Sequence, residues 1–209
     1  GVSTGTMAHG LTVAPDIIIA KARNHDTNWF VQVPDVLANT HMLNLETTGA
    51  AYNPGYNHFN DTVPTDEVFS FGGYLGGHSD LGGNTEKIAY CFHSVEGYSK
   101  VGSYVGNGST DGAFVHTGFR PAWLLAKTTS SSNRWILFDS VRSTTNPVEE
   151  KHELNPNNGN AETTSGTDCF DFLSNGFKLR RTGNVFNTSG HTYIYLAFAE
   201  APFKFANAR

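Results

Sequence analysis

Along much of this chain apolar residues recur at every second position in short runs, the spacing that lines them up on one face of a β-strand. Trp29, Val31 and Val33 alternate with Phe30 and Gln32, Phe69 and Phe71 flank Ser70, and Ile88, Tyr90 and Phe92 share a side. Further along, Phe170 and Phe172 flank Asp171, while Phe177 and Leu179 flank Lys178 ahead of Arg180. These runs predict half-buried strands. Ile17 to Ala20 and Trp123 to Ala126 are instead apolar without a break. That pattern belongs to strands covered on both faces, so both are expected at the centre of a sheet.

Turn chemistry separates the runs. Gly72-Gly73, Gly76-Gly77, Gly82-Gly83-Asn84, Asn157-Asn158-Gly159-Asn160, Asn175-Gly176 and Gly183-Asn184 supply residue types that tolerate positive φ. Asn175-Gly176, set between Phe172 and Phe177, predicts a hairpin. Helical periodicity is almost absent, and only Pro147 to Leu154 reads as a short helix, with Pro147 in its first turn and Glu149 and Glu150 complementing the dipole. Many short strands with frequent turns imply an all-β fold of sandwich or jelly-roll type, with a barrel as the alternative.

The same patterns occur twice. Pro15 to Lys21 reads against Pro121 to Lys127 without a gap at a shift of 106 residues. The register persists: Trp29 falls on Trp135, and Ile88, Tyr90 and Phe92 fall on Ile194, Leu196 and Phe198. His9-Gly10-Leu11 also matches Thr117-Gly118-Phe119 once two residues are dropped before the proline, a change that a turn tolerates. The expected organisation is therefore two tandem antiparallel β-sandwich domains, residues 1–103 and 104–209. By this register Tyr104-Val105-Gly106 corresponds to positions ahead of Gly1, so the first copy is expected to begin inside its first strand.

Composition agrees with a β protein rich in turns: 38% hydrophobic, 12% aromatic, only 16% charged, with 22 glycines. A net charge of −5 gives no footprint for nucleic acid or anionic lipid, which need clustered Lys and Arg. No apolar run is long enough for a membrane helix, and the first residues lack the charged start and apolar stretch of a signal peptide. Cys91 and Cys169 are too few for a disulfide scaffold and are read as reduced.

The searchable catalytic motifs are missing: no Gly-x-Ser-x-Gly elbow, no phosphate loop ending in Gly-Lys, no His-Glu-x-x-His and no acidic calcium loop. His152-Glu153 is followed by Leu154, Asn155 and Pro156, so no second histidine shares its helix face. A glycosidase needs two carboxylates facing across a cleft. The nearest pair, Asp168 and Asp171, would point to opposite sides of a strand and reads as structural or solvent-facing. The nine histidines are scattered and suit a rim or surface. No enzyme, cofactor or metal site is expected.

Two loops suit a sugar or other polymer. Tyr52, Asn53, Tyr56, Asn57 and His58 form an aromatic and amide-rich stretch without apolar periodicity, and Asn155, Asn157, Asn158 and Asn160 answer it in the second copy. Sugars are held by flat aromatic faces beside donors and acceptors for their hydroxyls. The plainer alternative is a solvated loop whose tyrosines lie over a sheet edge. Trp29 and Trp135, matched on strands, read as packing residues, as do Phe92 and Phe198. Asn60, Asn107 and Asn187 begin Asn-x-Ser/Thr sequons, which matter only in a eukaryotic secretory setting.

Taken together, the His-Gly-Leu and Thr-Gly-Phe turns, the proline-led strands ending in Lys21 and Lys127, and the strands at Trp29 and Trp135 resemble a domain that recurs in bacteriophage virion proteins. Tyr104 to Ser109, Phe172 to Leu179, and Tyr195 to Glu200 with Pro202-Phe203 add to the likeness, which covers both copies. Copy one departs at its last strand, where His93, Ser94 and Val95 replace Ala199, Glu200 and Ala201. The resemblance implies a lectin-type or concanavalin-like sandwich in the C-terminal part of a tail fibre or other virion-surface protein. It implies further a homo-oligomer, with a trimer favoured, other virion proteins as partners, and attachment to host polysaccharide. A purely structural fibre, horn or capsid-decoration protein is the competing expectation.

Overall fold

The computed structural model describes residues 4–56, 58–72, 86–162, 166–183 and 185–201. The chain divides into two compact units, residues 1–93 and 94–209, and each is built of antiparallel strands. The protein is all-β, with several separate sheets.

In unit 1 the strands are β1 (Gly5–Ala8), β2 (Ile17–Ala22), β3 (Phe30–Gln32), β4 (Leu43–Asn44), β5 (Val68–Phe71) and β6 (Lys87–Phe92). β1 pairs with β5, and the others form a sheet in the order β4-β3-β2-β6. Unit 2 holds β7 (Ser99–Val105), β8 (Phe114–His116), β9 (Pro121–Thr128), β10 (Ile136–Asp139), β11 (Val148–Glu149), β12 (Asp168–Leu173), β13 (Gly176–Leu179) and β14 (Thr192–Ala199). They form two sheets, β10-β9-β14-β7 and β11-β12-β13-β8.

The repeat is visible in the pairing. β2 and β9, one period apart, are each central, flanked by β3 and β6 in one unit and by β10 and β14 in the other. This is the position that their unbroken apolar runs predict. Ala8 faces Val68 as His116 faces Gly176, and Met7 faces Phe69 as Val115 faces Phe177. Even the backbone entering β3 and β10 is held alike: Glu46 Oε2 accepts from the Trp29 N–H at 2.9 Å, and Asn157 Oδ1 accepts from the Trp135 N–H at 2.8 Å.

The cores correspond too. Unit 1 packs Ile18, Ala20, Phe30, Met42, Phe59 and Phe69, with Met7, Phe71, Ala89 and Cys91 against them. Unit 2 builds a larger cluster drawn from both of its sheets, in which Phe138 meets Phe170 edge-on at 4.8 Å and Phe177 meets Tyr195 at 5.4 Å.

Four features depart from the sequence pattern. The boundary read from the repeat, 103/104, cuts β7, whereas the compact units part after His93. The reason is that β7 pairs along its length with β14, and Val95 bridges to Ser99. β3 is buried on both faces rather than half-buried, because the loop beyond it folds back and Gln32 Nε2 donates to the Asn39 carbonyl. Val148–Glu149 is a strand, and only Glu150–His152 forms a 3-10 turn where a longer helix was expected; pairing of Val148 with Phe170 outweighs the weak helical signal. The hairpin between β12 and β13 is present, but its turn is Ser174-Asn175, and Gly176 already faces Leu173 across the ladder. A Cβ there would lie 2.1 Å from the Val115 carbonyl oxygen, so this glycine answers a close backbone approach, not a positive φ. The glycine pairs of residues 73–85, Asn184 and the Pro202-Phe203 end of the chain lie outside the described residues.

Candidate functional site

The first candidate loop follows β4. Tyr52 bridges to Met42, and its hydroxyl donates to Asn44 Oδ1 at 3.3 Å. Asn53 Oδ1 accepts from the Gly55 N–H at 2.8 Å, which closes a tight turn. Tyr56 is 53% exposed. Asn57 lies outside the described residues.

His58 is not on a rim. It is buried, its ring 4.3 Å from that of Phe30, and its Nδ1 lies 3.1 Å from the Tyr56 carbonyl. Burial away from water holds its imidazole below the usual range, against the opposing pull of that carbonyl and of Asp61. A histidine whose folded pKa is depressed binds fewer protons folded than unfolded just below pH 6.5, so its contribution to stability falls as pH drops through that point. Unit 1 should therefore melt earlier at pH 5.5 than at 7.5, and His58→Phe should flatten that slope in thermal scans. An unchanged slope would show that His58 does not control it.

In the second copy the asparagines hold backbone. Asn157 caps Trp135, Asn155 Nδ2 donates to the Trp135 carbonyl at 3.2 Å and to Glu153 Oε1 at 2.5 Å, and Asn158 Oδ1 accepts from the Asn160 N–H at 3.0 Å. Beside them Arg134 forms an ion pair with the buried Glu153 and reaches Glu150 at 3.0 Å, and Arg181 approaches Glu150 at 2.8 Å. These amides are largely occupied in shaping their own loop. Asn187, first residue of a sequon, is likewise buried and exchanges hydrogen bonds with Asn107.

The open aromatic surface lies elsewhere, on the outer face of the β4-β3-β2-β6 sheet. Trp29, read from sequence as a packing residue, is only half-buried and stacks on Tyr90 with ring centroids 6.0 Å apart. Tyr90 is 47% exposed, and the Lys21 ammonium sits 5.6 Å from the Trp29 ring. The same three places in unit 2 hold Lys127, Trp135 and Leu196, all buried. Lys127 Nζ donates to the Thr128 carbonyl at 2.7 Å, and burial lowers its pKa to about 8. Alternation sets Trp29 with Val31 and Val33, and Tyr90 with Ile88 and Phe92, but exposure depends on what folds over each face, which period-two spacing does not report.

No group of three or more His, Cys, Asp or Glu among the described residues is placed to share a metal ion. Asp171 is buried and paired with Arg180 at 2.5 Å, while Asp168 is exposed at the start of β12. Both thiols are free, and burial pushes Cys91 up to about 11 and Cys169 up to about 12, far from the range of a reactive thiolate. No helix among the described residues is long and apolar enough to cross a membrane.

The family model described as "Domain of unknown function (DUF7483)" matches residues 1–202, and the chain belongs to that family. The match runs through both units. No curated protein and no solved structure matches the chain.

Proposed function

We propose that this member of the DUF7483 family is an adhesion module whose first unit docks on polysaccharide through the outer face carrying Trp29, Tyr90 and Lys21. The carrying observation is the Trp29 and Tyr90 stack, half-buried at Trp29 and exposed at Tyr90, whose counterparts Trp135 and Leu196 are buried in the sister unit. Pyranose C–H faces stack on such rings, and a neighbouring ammonium donates to hydroxyls or carboxylates. Tyr52, Asn53 and Tyr56 form a second, weaker contact at the β4 side.

The setting we infer is the C-terminal part of a phage tail fibre or other virion-surface protein, outside the cell after release. The motifs shared with virion repeat domains support it. We read the two sheets of each unit as a jelly-roll or concanavalin-like sandwich, and the particle as a homo-oligomer, a trimer by the habit of fibres. Stiff β units repeated in an oligomer let weak sites act together through effective concentration. A purely structural role in a fibre, horn or head decoration is the second reading, and the outer edge of β6, on which no strand among the described residues lies, favours it.

A glycan array with the intact oligomer tests the proposal. Saturable binding is expected, and Tyr90→Ala should weaken it by roughly 10-fold, about 1 to 2 kcal/mol of lost stacking, while Val141→Ala, at an exposed site in unit 2, leaves it unchanged. Absence of saturable binding to any host polysaccharide would sink the adhesion reading and leave the structural one.

A further inference from the structure

The sister units differ at one sheet edge. In unit 2, β14 is paired on both sides, with β9 and with the seven-residue β7. In unit 1, β6 pairs with β2, and no strand among the described residues lies on its other side. The Arg23 backbone N–H donates to the Glu86 carbonyl at 2.8 Å, which sets the alternation along this ladder. Ile88 and Tyr90 then bond toward β2, and the backbone groups of Ala89 and Cys91 point to the outer edge. Their equivalents in unit 2, Tyr195 and Ala197, face Gly102 and Lys100 of β7.

The side chains differ to match. In unit 2, β7 contributes Tyr104 to the core, stacked on Tyr193 at 4.9 Å and edge-on to Phe177 at 5.9 Å, its hydroxyl donating to the Phe186 carbonyl at 2.9 Å. Tyr195 lies over Gly102, where a Cβ would sit 2.8 Å from its hydroxyl. Unit 1 has Ala89 in place of Tyr195. A cavity of about 310 Å³ opens there, lined by Met7 and Ala8 of β1, Phe69 of β5, and Ala89 and Cys91 of β6.

We propose that the outer edge of β6 is a strand-acceptor site, filled by an antiparallel strand of β7 chemistry whose inward side chains enter this cavity. Unit 2 shows the mode: β7, just ahead of β8, supplies to β14 the edge pairing that β6 offers to such a strand in unit 1. Main-chain bonds give such pairing its affinity, and pockets for alternate side chains give it selectivity. Because Ala89 replaces Tyr195, the donor residue opposite Ala89 is large and apolar where β7 has glycine.

The test adds synthetic peptides to the full chain. One carries the β7 sequence, Ser99 to Val105, and a second carries it with Gly102→Leu. The leucine peptide is expected to bind at least about 10-fold more tightly than the glycine one, to slow amide exchange at Ala89 and Cys91, and to slow alkylation of the Cys91 thiol. Replacing Gly102 by proline in the peptide removes the donor that faces Ala89 and should abolish binding. Joining a copy of residues 98–113 ahead of Gly5 should raise the melting temperature of unit 1 and block the peptide. Equal binding of the leucine and proline peptides, no binding of either, or a dimer in sedimentation that buries β6 against β6 would each overturn the proposal.

Discussion

Gly176→Val is expected to unfold unit 2 at temperatures where the unaltered protein is intact. The new Cβ would stand 2.1 Å from the Val115 carbonyl oxygen and 3.0 Å from the Phe114 ring, and the backbone of β8 cannot retreat without giving up its pairing with β13. Overpacking of this kind costs about 3 kcal/mol or more when the obstacle is main chain. Calorimetry would show the loss as a lower melting temperature for the unit. Gly159→Ala serves as the control, since nothing lies within 4 Å of a Cβ there. If the two variants melted alike, the close approach of β8 and β13 would be wrong.

Arg134→Ala should be nearly as damaging. The Glu153 side chain is 2% exposed, and Arg134 is its charge partner, with Arg134 Nη2 3.0 Å from Glu153 Oε2. Removing the cation strands a buried carboxylate close to Glu150, a situation that costs roughly 3 to 4 kcal/mol. Arg134 is itself 30% exposed, which holds the expected value to the lower half of that range. The companion experiment replaces both partners, Arg134→Met with Glu153→Leu. Most of the stability should return, because no buried charge is then left alone. A double variant as unstable as the single one in urea titration would show that the loop needs the ion pair itself.

Where both faces of a strand are apolar, the sequence states its own position: Ile17 to Ala20 and Trp123 to Ala126 could only be central, and they are. The long-range register was legible because two copies carry it independently. The outer faces were not, since the fate of Trp29 and Trp135 is set by loops and neighbours distant in sequence, and one is half-buried while the other is 1% exposed. The asparagines of the second copy are ambiguous in sequence for a related reason. Amides that suit a sugar also suit a carbonyl or N–H of the chain, and Asn155 and Asn157 are taken by the backbone of Trp135. His58 has the composition of a loop residue, yet it closes over Phe30. Gly176 has a turn-forming type in sequence, while its need arises from a strand some sixty positions earlier.

The opposite treatment of one sheet face in the two copies gives them unequal freedom to diverge. Lys21 and Tyr90 lie on the open face and can be exchanged with little effect on folding. Lys127, Trp135 and Leu196 are locked inside and must stay as they are. A duplicated scaffold of this kind keeps one half as a keel and leaves the other to explore.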